Sequence, residues 1–399
     1  MQEKCKKILI ILFVITMFSI RLLPVNYPTD IYNILELGFE EYAKQWFASA
    51  GRIVALIVFF ILDKCNISCD MYIILMKVLA IIVATVSIYV FYEILINIDK
   101  NASKFKKWCY LIASLATLLN RATYQFFYYT ESAIMWLGVL FVILALKNTI
   151  QNQSKYKYLK STLYIFIATN CYQAVTLFYL PAIIILLGVN SKDLKQFFIE
   201  LLKNCLVIII NLLSGYLILK CATYYYNAQP FRDTKLVLNL DLILDNFYLV
   251  YRTFCDGAYN SILSYVYTMV LMLSLFLSKD LLVQKKSISV ISIYLAIIIS
   301  FLEVVGIISV LNFYCGDRIQ FAYVSMVGIS FVYFLLYLNT DEERIINIFI
   351  LMLTIIYLTF NIWNANDITK WHRIVRERDQ NILNAISLKV AEYENLQGI

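Results

Sequence analysis

The residues best suited to chemistry in this sequence are a few acids and arginines that border long apolar runs. Asp30 follows the first of these runs, in Tyr27-Pro28-Thr29-Asp30. A carboxylate at that place can act as a general base toward a hydroxyl group, although it can equally cap the helix that follows it. Arg52 and Arg318 each border an apolar run and have the planar guanidinium that grips phosphate. Anchoring in lipid headgroups is the alternative for both arginines, and Asp317 is a further partner for Arg318.

Polar and aromatic residues also interrupt the apolar runs at two other places. Arg121 and Glu131 bracket an aromatic loop, Tyr124-Gln125-Phe126-Phe127-Tyr128-Tyr129. Aromatic residues at this place favour an interfacial belt over stacking on sugar rings. Tyr172 and Gln173 form a polar break between two apolar runs, where they line a cavity or satisfy a tight helical hairpin.

Glu303 differs from the other acids because it lies inside an apolar run, 288–311. An acid within a membrane span is costly and usually functional. We therefore expect Glu303 to face a cavity or to pair with a basic group such as Lys77.

Several classes of function are excluded by what the sequence lacks. It contains no phosphate-binding loop, dinucleotide fingerprint or metalloprotease motif, and its one histidine, His372, makes a zinc site a poor interpretation. We predict no metal and no cofactor. Nucleic acid is a poor partner because the lysines lie in short clusters between apolar runs. Cys65 and Cys69 are close enough in sequence to form a local disulfide.

The elements that must position these residues are membrane-spanning helices. The 399 residues are 61% apolar and 15% charged, so lipid must cover much of the surface. The sequence predicts an all-α, polytopic bundle of about eleven spans, each needing roughly 20 mostly apolar residues. The predicted spans are 8–24, 72–96, 108–120, 134–147, 160–172, 174–190, 204–220, 261–278, 288–311, 319–338 and 345–362.

The segment 53–62 decides the topology. It is too short to span, and treating it as an interfacial helix puts every lysine cluster on the cytoplasmic side, as the positive-inside rule requires. The N-terminus is then inside, because 8–24 has no cleavage site after it and is retained as a helix. Four segments and the tail then face outward, and so do most of the acids. The clusters predicted inside are Lys100–Lys107, Lys147–Lys160, Lys192–Lys203, Lys279–Lys286 and Arg344; the segments predicted outside are 25–71, 121–133, 221–260 and 312–318.

We divide the chain into a membrane domain, 1–362, and an extracytoplasmic tail, 363–399. The tail has an amphipathic helical pattern, which predicts a helix lying over the outer mouth of the bundle. Its apolar positions are Ile374, Ile382, Leu383, Ile386 and Val390.

The order of local patterns resembles the GtrII-type glucosyltransferases, polytopic enzymes related to the GT-C glycosyltransferases. The matching features are the early acid Asp30, then Trp46 with Gly51-Arg52, and then Cys171-Tyr172-Gln173-Ala174. The region from Asn361 through Asp379-Gln380-Asn381 is similar to the one that follows the last span in that family. None of these patterns is specific alone, and their order carries the resemblance over most of the chain.

The resemblance implies a GT-C-like fold and transfer of a hexose, with glucose as the expected sugar, from a polyprenyl-phosphate donor to a glycan or lipid-linked acceptor. The reaction would take place on the outer face of the cytoplasmic membrane. Asp30 would be the base, and Arg318 and Arg52 would bind the donor phosphate. The substrate cavity would be lined by Glu131, Tyr172, Gln173, Glu303 and Arg121.

Three other functions fit a chain of this kind. A polysaccharide polymerase or a lipid-linked glycan flippase would share the span count and the outer arginines, but a flippase needs more polar groups deep in its spans. A secondary transporter is expected to show inverted repeats and interrupted helices, and the sequence shows neither.

Overall fold

The computed structural model describes residues 2–19, 29–129, 131–226, 240–256, 287–311, 319–337 and 347–367, with isolated positions in the tail. All regular structure in these residues is helical. The helices are α1 Gln2–Ser19, α2 Thr29–Ala50, α3 Ile53–Lys64, α4 Cys69–Ile98, α5 Lys104–Leu118, α6 Arg121–Tyr128, α7 Ser132–Gln151, α8 Lys157–Cys171, α9 Gln173–Thr176, α10 Tyr179–Asn190, α11 Leu194–Tyr225, α12 Leu240–Asp256, α13 Ser287–Leu311, α14 Phe321–Tyr337 and α15 Asn347–Asp367.

Six helices of the described part are long and apolar enough to cross a membrane: α4, α9 with α10 as Gln173–Asn190, α7, α11, α13 and α15. They correspond to six of the predicted spans. Four more predicted spans fall on α1, α5, α8 and α14, which have 15 to 18 residues. The predicted span 261–278 lies outside the described residues, as does most of the predicted tail helix. The count of eleven spans therefore stays a prediction.

The bundle has two chemically different ends. The aromatic end contains Trp46, Phe126, Trp136 and Tyr172, joined by ring contacts. The lysine end contains Lys106, Lys147, Lys157 and Lys203, each paired with a carboxylate.

Shorter helices also connect these two ends. In α1, Lys7 lies over the rings of Tyr92 and Trp108, near the lysine end, while Phe18 packs against Tyr124 and Phe127. In α14, Leu335 accepts a hydrogen bond from Tyr110 at the lysine end, whereas the other end of the helix meets α6. The shorter helices α1 and α14 thus extend between the same two ends of the bundle as the long helices do.

The helices approach closely where glycines face a neighbour. A Cβ atom added to Gly328 of α14 would overlap the backbone of Thr117 in α5. A Cβ atom on Gly188 of α10 would overlap the side chains of Tyr337 and Ser292. Small residues allow such contacts between membrane helices, and here they fix α14 against both α5 and α10.

Helices α2 and α3 form a hairpin beside the bundle. The helix α2 is kinked at Gly38, whose backbone has φ +78° and ψ +166°. The 12 residues of α3 are too few to span, and its exposed apolar side chains, Ile57, Phe60 and Ile61, lie on one stripe while Phe59 is buried. This agrees with an interfacial helix over 53–62.

Candidate functional site

A tight turn between α2 and α3 places Arg52. Gly51 has φ +67° and its N–H donates to the carbonyl of Phe47 at 2.8 Å. A Cβ atom there would also lie 3.1 Å from the Cα atom of Leu219 in α11. Both the positive φ and the close approach favour glycine at position 51. Gly51 therefore forms the turn that places Arg52 at the start of α3.

Side chains from other helices hold the end of α2 in place. The amide nitrogen of Gln173 donates to the carbonyl of Ala50 at 2.8 Å, and the hydroxyl of Thr223 donates to the carbonyl of Ala48 at 3.0 Å. The last carbonyls of a helix need such partners. The amide of Gln173 therefore has a structural role directly beside Arg52, although its partner is the end of α2 and not the helical hairpin predicted for it.

The guanidinium of Arg52 lies between two aromatic rings. Its Cζ atom is 4.8 Å from the ring centroid of Trp46 and 5.0 Å from that of Tyr172. These distances are within the range of cation–π attraction, and only 9% of Arg52 is exposed. The alternative prediction that Arg52 extends to lipid headgroups is wrong, because the two rings hold it inside the protein.

The aromatic run after Arg121 forms a buried helix and not a surface loop. Asn120 and Thr123 make a reciprocal capping box that starts α6. The ring of Phe126 then contacts Tyr172 at 5.8 Å and Trp136 at 6.2 Å. The predicted interfacial belt is wrong for Tyr124, Phe126 and Phe127, because their rings are buried inside the aromatic end of the bundle, whereas Tyr128 and Tyr129 are partly exposed.

Arg121 joins α6 to the start of α14. Its Nη2 atom donates to the Oε1 atom of Gln320 at 3.1 Å, and only 2% of the residue is exposed. Next to it, the amide of Asn120 donates to the hydroxyl of Ser325 at 3.0 Å. These bonds fix the loop end of α14, the helix that Arg318 precedes in sequence.

Glu131 belongs to the same end of the bundle. It lies just before α7, is 4% exposed, and accepts a hydrogen bond from the hydroxyl of Tyr42 at 3.2 Å. The Tyr42 ring lies edge-on to Trp46, with 6.1 Å between ring centroids. A continuous set of contacts thus runs from Glu131 through Tyr42 and Trp46 to Arg52.

Three predicted site residues do not join this set in the described structure. Asp30 lies in the first turn of α2, with its side chain outside the described residues, and Arg318 also lies outside them. Glu303 is in α13, where both carboxylate oxygens are shielded from solvent and have no hydrogen-bond partner among the described residues. The predicted pairing of Glu303 with Lys77 is therefore not formed.

Glu40 and Glu41, which follow the kink of α2, are less suited to act as a base. Lys44 contacts the carboxylate of Glu40 at 2.9 Å and that of Glu41 at 3.7 Å. The hydrogen bond from Lys44 lowers the pKa of Glu40 below its ordinary value, which makes it a weaker proton acceptor.

The described residues contain no group of three or more His, Cys, Asp or Glu side chains placed to hold a metal ion. Cys65 and Cys69 carry free thiols, so the predicted local disulfide is not formed.

Sequence reasoning did not find Tyr42, Gln320 or Trp136. Trp136 lies in an apolar run that does not mark it, whereas Tyr42 follows Glu41 and Gln320 follows Arg318 by two positions. For Tyr42 and Gln320, only the packing of the helices shows which distant residue is the partner. Ser132 follows Glu131 directly and was also missed.

The long apolar helices define an integral membrane protein, and the comparison with known proteins identifies its class. The model of the family described as Glucosyl transferase GtrII matches residues 39–335. The chain belongs to this family and is a glycosyltransferase. No curated protein and no solved structure matches it.

The matched region begins at Phe39, so Asp30 precedes it. The other predicted site residues lie within it: Arg52, Arg121, Glu131, Tyr172, Gln173, Glu303 and Arg318.

Proposed function

We propose that this glycosyltransferase moves glucose from a polyprenyl-phosphate donor to a cell-surface glycan or a lipid-linked acceptor, on the outer face of the cytoplasmic membrane. Membership of the GtrII family supports glucosyl transfer. The lack of a nucleotide-binding motif in the sequence supports a lipid-linked donor. The gathering of lysines at one end supports a cytoplasmic location for that end, which leaves the aromatic end outside.

The observation that carries this proposal is the fixed guanidinium of Arg52 between Trp46 and Tyr172. A departing phosphate gains negative charge as the sugar leaves, and a cation already in position stabilises that charge. Aromatic rings beside the cation also offer flat faces to a sugar. The aromatic end therefore combines the two groups that a sugar phosphate needs.

Each predicted site residue then has a role in this reaction. Asp30 accepts the proton of the acceptor hydroxyl while the hydroxyl oxygen bonds to the anomeric carbon of glucose. The bond between that carbon and the phosphate oxygen breaks, and the phosphate leaves with the electron pair. Arg318 and Arg52 bind the phosphate, while Glu131, Tyr172, Arg121 and Glu303 belong to the substrate cavity. Gln173 positions Arg52 through the end of α2.

The direct test is transfer by the purified protein in a detergent without sugar headgroups. Polyprenyl-phosphate glucose labelled in the sugar should donate to an isolated envelope glycan, and a nucleotide-linked glucose should not. Arg318→Lys should lose most of the transfer rate, because lysine cannot meet phosphate through a planar fork. Arg344→Lys, at a predicted cytoplasmic end, is the matched control. Transfer from the nucleotide sugar alone would exclude the proposed donor, and full activity of Arg318→Lys would assign the phosphate to other residues.

The proposed orientation can be tested with cysteines that the chain already has. Cys65 is exposed after α3, and Cys5 is exposed near the lysine end of α1. A membrane-impermeant maleimide applied to intact cells should label Cys65 and leave Cys5 unlabelled until the membrane is opened. Cys221 is exposed as well and lies in a segment predicted to face outward, so the labelled cysteines are identified by mass spectrometry of peptides. Cys65→Ser, which removes only the signal of the Cys65 peptide, is the control. Labelling of Cys5 from outside would reverse the orientation.

A further inference from the structure

The first turn of α7 holds two buried polar groups that the protein itself does not satisfy. The hydroxyl of Ser132 and the indole N–H of Trp136 are fully buried, and neither has a hydrogen-bond partner among the described residues. The two residues are four positions apart, so they share one face of the helix. Buried polar groups are nearly always hydrogen-bonded, and two exceptions on one face call for an explanation.

The carboxylate of Glu131 lies directly before these two groups. It accepts one hydrogen bond, from Tyr42, and no lysine or arginine of the described chain forms an ion pair with it. An ionised carboxylate has about four acceptor positions. Glu131 therefore has acceptor capacity left beyond the bond from Tyr42.

Aromatic rings surround this polar group. The ring of Trp136 lies 5.2 Å from that of Phe127 and 6.2 Å from that of Phe126, and Phe126 contacts Tyr172 at 5.8 Å. Tyr172 in turn lies against Arg52. The unsatisfied groups are thus connected by ring contacts to the proposed phosphate-binding arginine.

The combination fits one chemical class of ligand. A carboxylate accepts from two adjacent hydroxyl groups, an indole N–H donates to a hydroxyl oxygen, and a serine hydroxyl does either. The rings suit the C–H faces of a pyranose, whereas a purely apolar lipid chain would leave the Ser132 hydroxyl and the Trp136 N–H unsatisfied.

We propose that Glu131, Ser132 and Trp136 form a sugar subsite that binds hydroxyl groups of the transferred hexose and so selects its stereochemistry. This assignment rests on the proposed function, because it places the hexose beside the phosphate held at Arg52.

The test pairs changes in the protein with changes in the sugar. Trp136→Phe keeps the ring and removes only the N–H, and Ser132→Ala removes only the hydroxyl. Each should lower kcat/KM for polyprenyl-phosphate glucose about 5- to 20-fold, the range of a neutral hydrogen bond. Glu131→Gln should lower it about 10- to 100-fold, because bonds to a charged acceptor are stronger. Trp363→Phe, at an exposed position of α15, should leave it unchanged.

Donors that lack one hydroxyl decide whether the loss arises from direct contact. The glucose donor that lacks the hydroxyl bound by Trp136 should be a poor donor for the parental enzyme. Trp136→Phe should not lower its transfer further, because the same hydrogen bond is already missing. If the variants keep the parental rate, or lose the same factor with every donor, the subsite is wrong and these groups only support the fold.

A measurement without any lipid donor separates this proposal from the proposed function. Binding of methyl glucoside to the purified full chain is followed by the change in tryptophan fluorescence. If the parental protein binds the glucoside, and Ser132→Ala and Glu131→Gln weaken that binding, the subsite stands even when polyprenyl-phosphate glucose is not a donor. If the parental protein transfers glucose normally, but the variants bind methyl glucoside and discriminate between deoxygenated donors as the parent does, the proposed subsite is wrong and the proposed function stands. Absence of both binding and transfer in the parental protein overturns the subsite as well.

Discussion

The two ends of the bundle hold their cations in different ways. At the aromatic end the guanidinium of Arg52 lies against the rings of Trp46 and Tyr172, at 4.8 and 5.0 Å. At the lysine end the ammonium groups lie against carboxylates, with Lys106 at 3.0 Å from Asp99 and Lys147 at 3.2 Å from Glu93. The lysine end uses rings as well, since Lys157 lies 4.8 Å from the ring centroid of Tyr158. The difference is that these lysines carry compact cations that also pair with acids, whereas the cation of Arg52 is planar and lies against two rings.

This difference suggests a division of labour along the bundle. The ion pairs of the lysine end join neighbouring helices, since Lys147 of α7 reaches α4 and Lys157 of α8 reaches Glu200 in α11. These ion pairs hold the helices together, a role in which the position of the charge is more important than the shape of the cation. Rings on both sides of Arg52 fix the plane of its fork instead, which is what recognition of phosphate needs. Substitutions at the two ends should therefore differ in their effect on sugar transfer.

Asp30→Asn should produce the largest loss of activity. The change preserves size and removes basicity, and loss of a general base lowers rates about 10²- to 10⁴-fold. We expect transfer to fall by at least about 10²-fold while the protein still inserts and folds, measured by sugar transfer and by thermal unfolding in detergent. Glu93→Gln, which removes a carboxylate at the lysine end, should keep nearly all activity. An active Asp30→Asn enzyme would remove Asp30 from the mechanism, and Glu36, Glu40 and Glu41 would then be the next acids to test.

Arg52→Lys should have the next largest effect. Lysine keeps the charge, but its compact ammonium cannot lie flat between Trp46 and Tyr172 or meet phosphate through two N–H groups. We expect transfer to fall roughly 10- to 100-fold, and donor binding to weaken, because the phosphate contact exists before the reaction. The reverse exchange at the other end, Lys147→Arg, should leave transfer near the parental level. Equal tolerance at both positions would contradict the division of labour between the two ends.

Gly38→Ala should reduce activity by about tenfold. The backbone of Gly38 has φ +78° and ψ +166°, a conformation almost confined to glycine, and forcing it on alanine costs about 1–3 kcal/mol. The first half of α2, which carries Asp30, should then change its angle to the half that carries Trp46, and a small misplacement of a base lowers rates strongly.

A matched control exists for this change. An added Cβ atom would meet no atom within 4 Å at Gly38 or at Gly306, and only Gly38 has a positive φ. Gly306→Ala should therefore be near neutral, and equal activity of the two variants would show that the kink does not position Asp30.

The sequence predicted those residues of the aromatic end that lie in turns or at helix ends, because local patterns mark such positions. Gly51-Arg52 and Tyr172-Gln173 were identified from local patterns, and the structure brings Arg52, Tyr172 and Gln173 together. The lysine clusters also indicated which ends of the helices belong together, because the positive-inside rule depends only on charge and span order. Local patterns were sufficient wherever the signal lay in a turn or at a helix end.

Contacts across the bundle could not be predicted in this way. The hydrogen bond between Tyr42 and Glu131 joins residues 89 positions apart, and that between Arg121 and Gln320 joins residues 199 apart. Which face of a membrane helix meets which neighbour depends on packing of small residues, and hydropathy alone does not contain that information. The helix α6 is different, because Asn120 is a residue type favoured at helix N-caps and could have predicted a helix start from the sequence.

The smallest expected effect belongs to Lys203→Gln at the lysine end. Lys203 contacts Glu200 at 3.0 Å, but 47% of its side chain is exposed, and exposed ion pairs contribute about 0–1 kcal/mol. Glu200 also keeps Lys157 at 3.0 Å and the hydroxyl of Tyr158. We expect the unfolding free energy in detergent to fall by less than about 1 kcal/mol, with transfer unchanged. Changing Lys157 and Lys203 together to Gln removes both cations from a carboxylate that is mostly covered, which should destabilise the protein by about 1–3 kcal/mol. The double variant should still transfer glucose at the parental rate once folded. A folded double variant with a large loss of kcat would contradict a purely structural role for the lysine end, and both ends of the bundle would then contribute to catalysis.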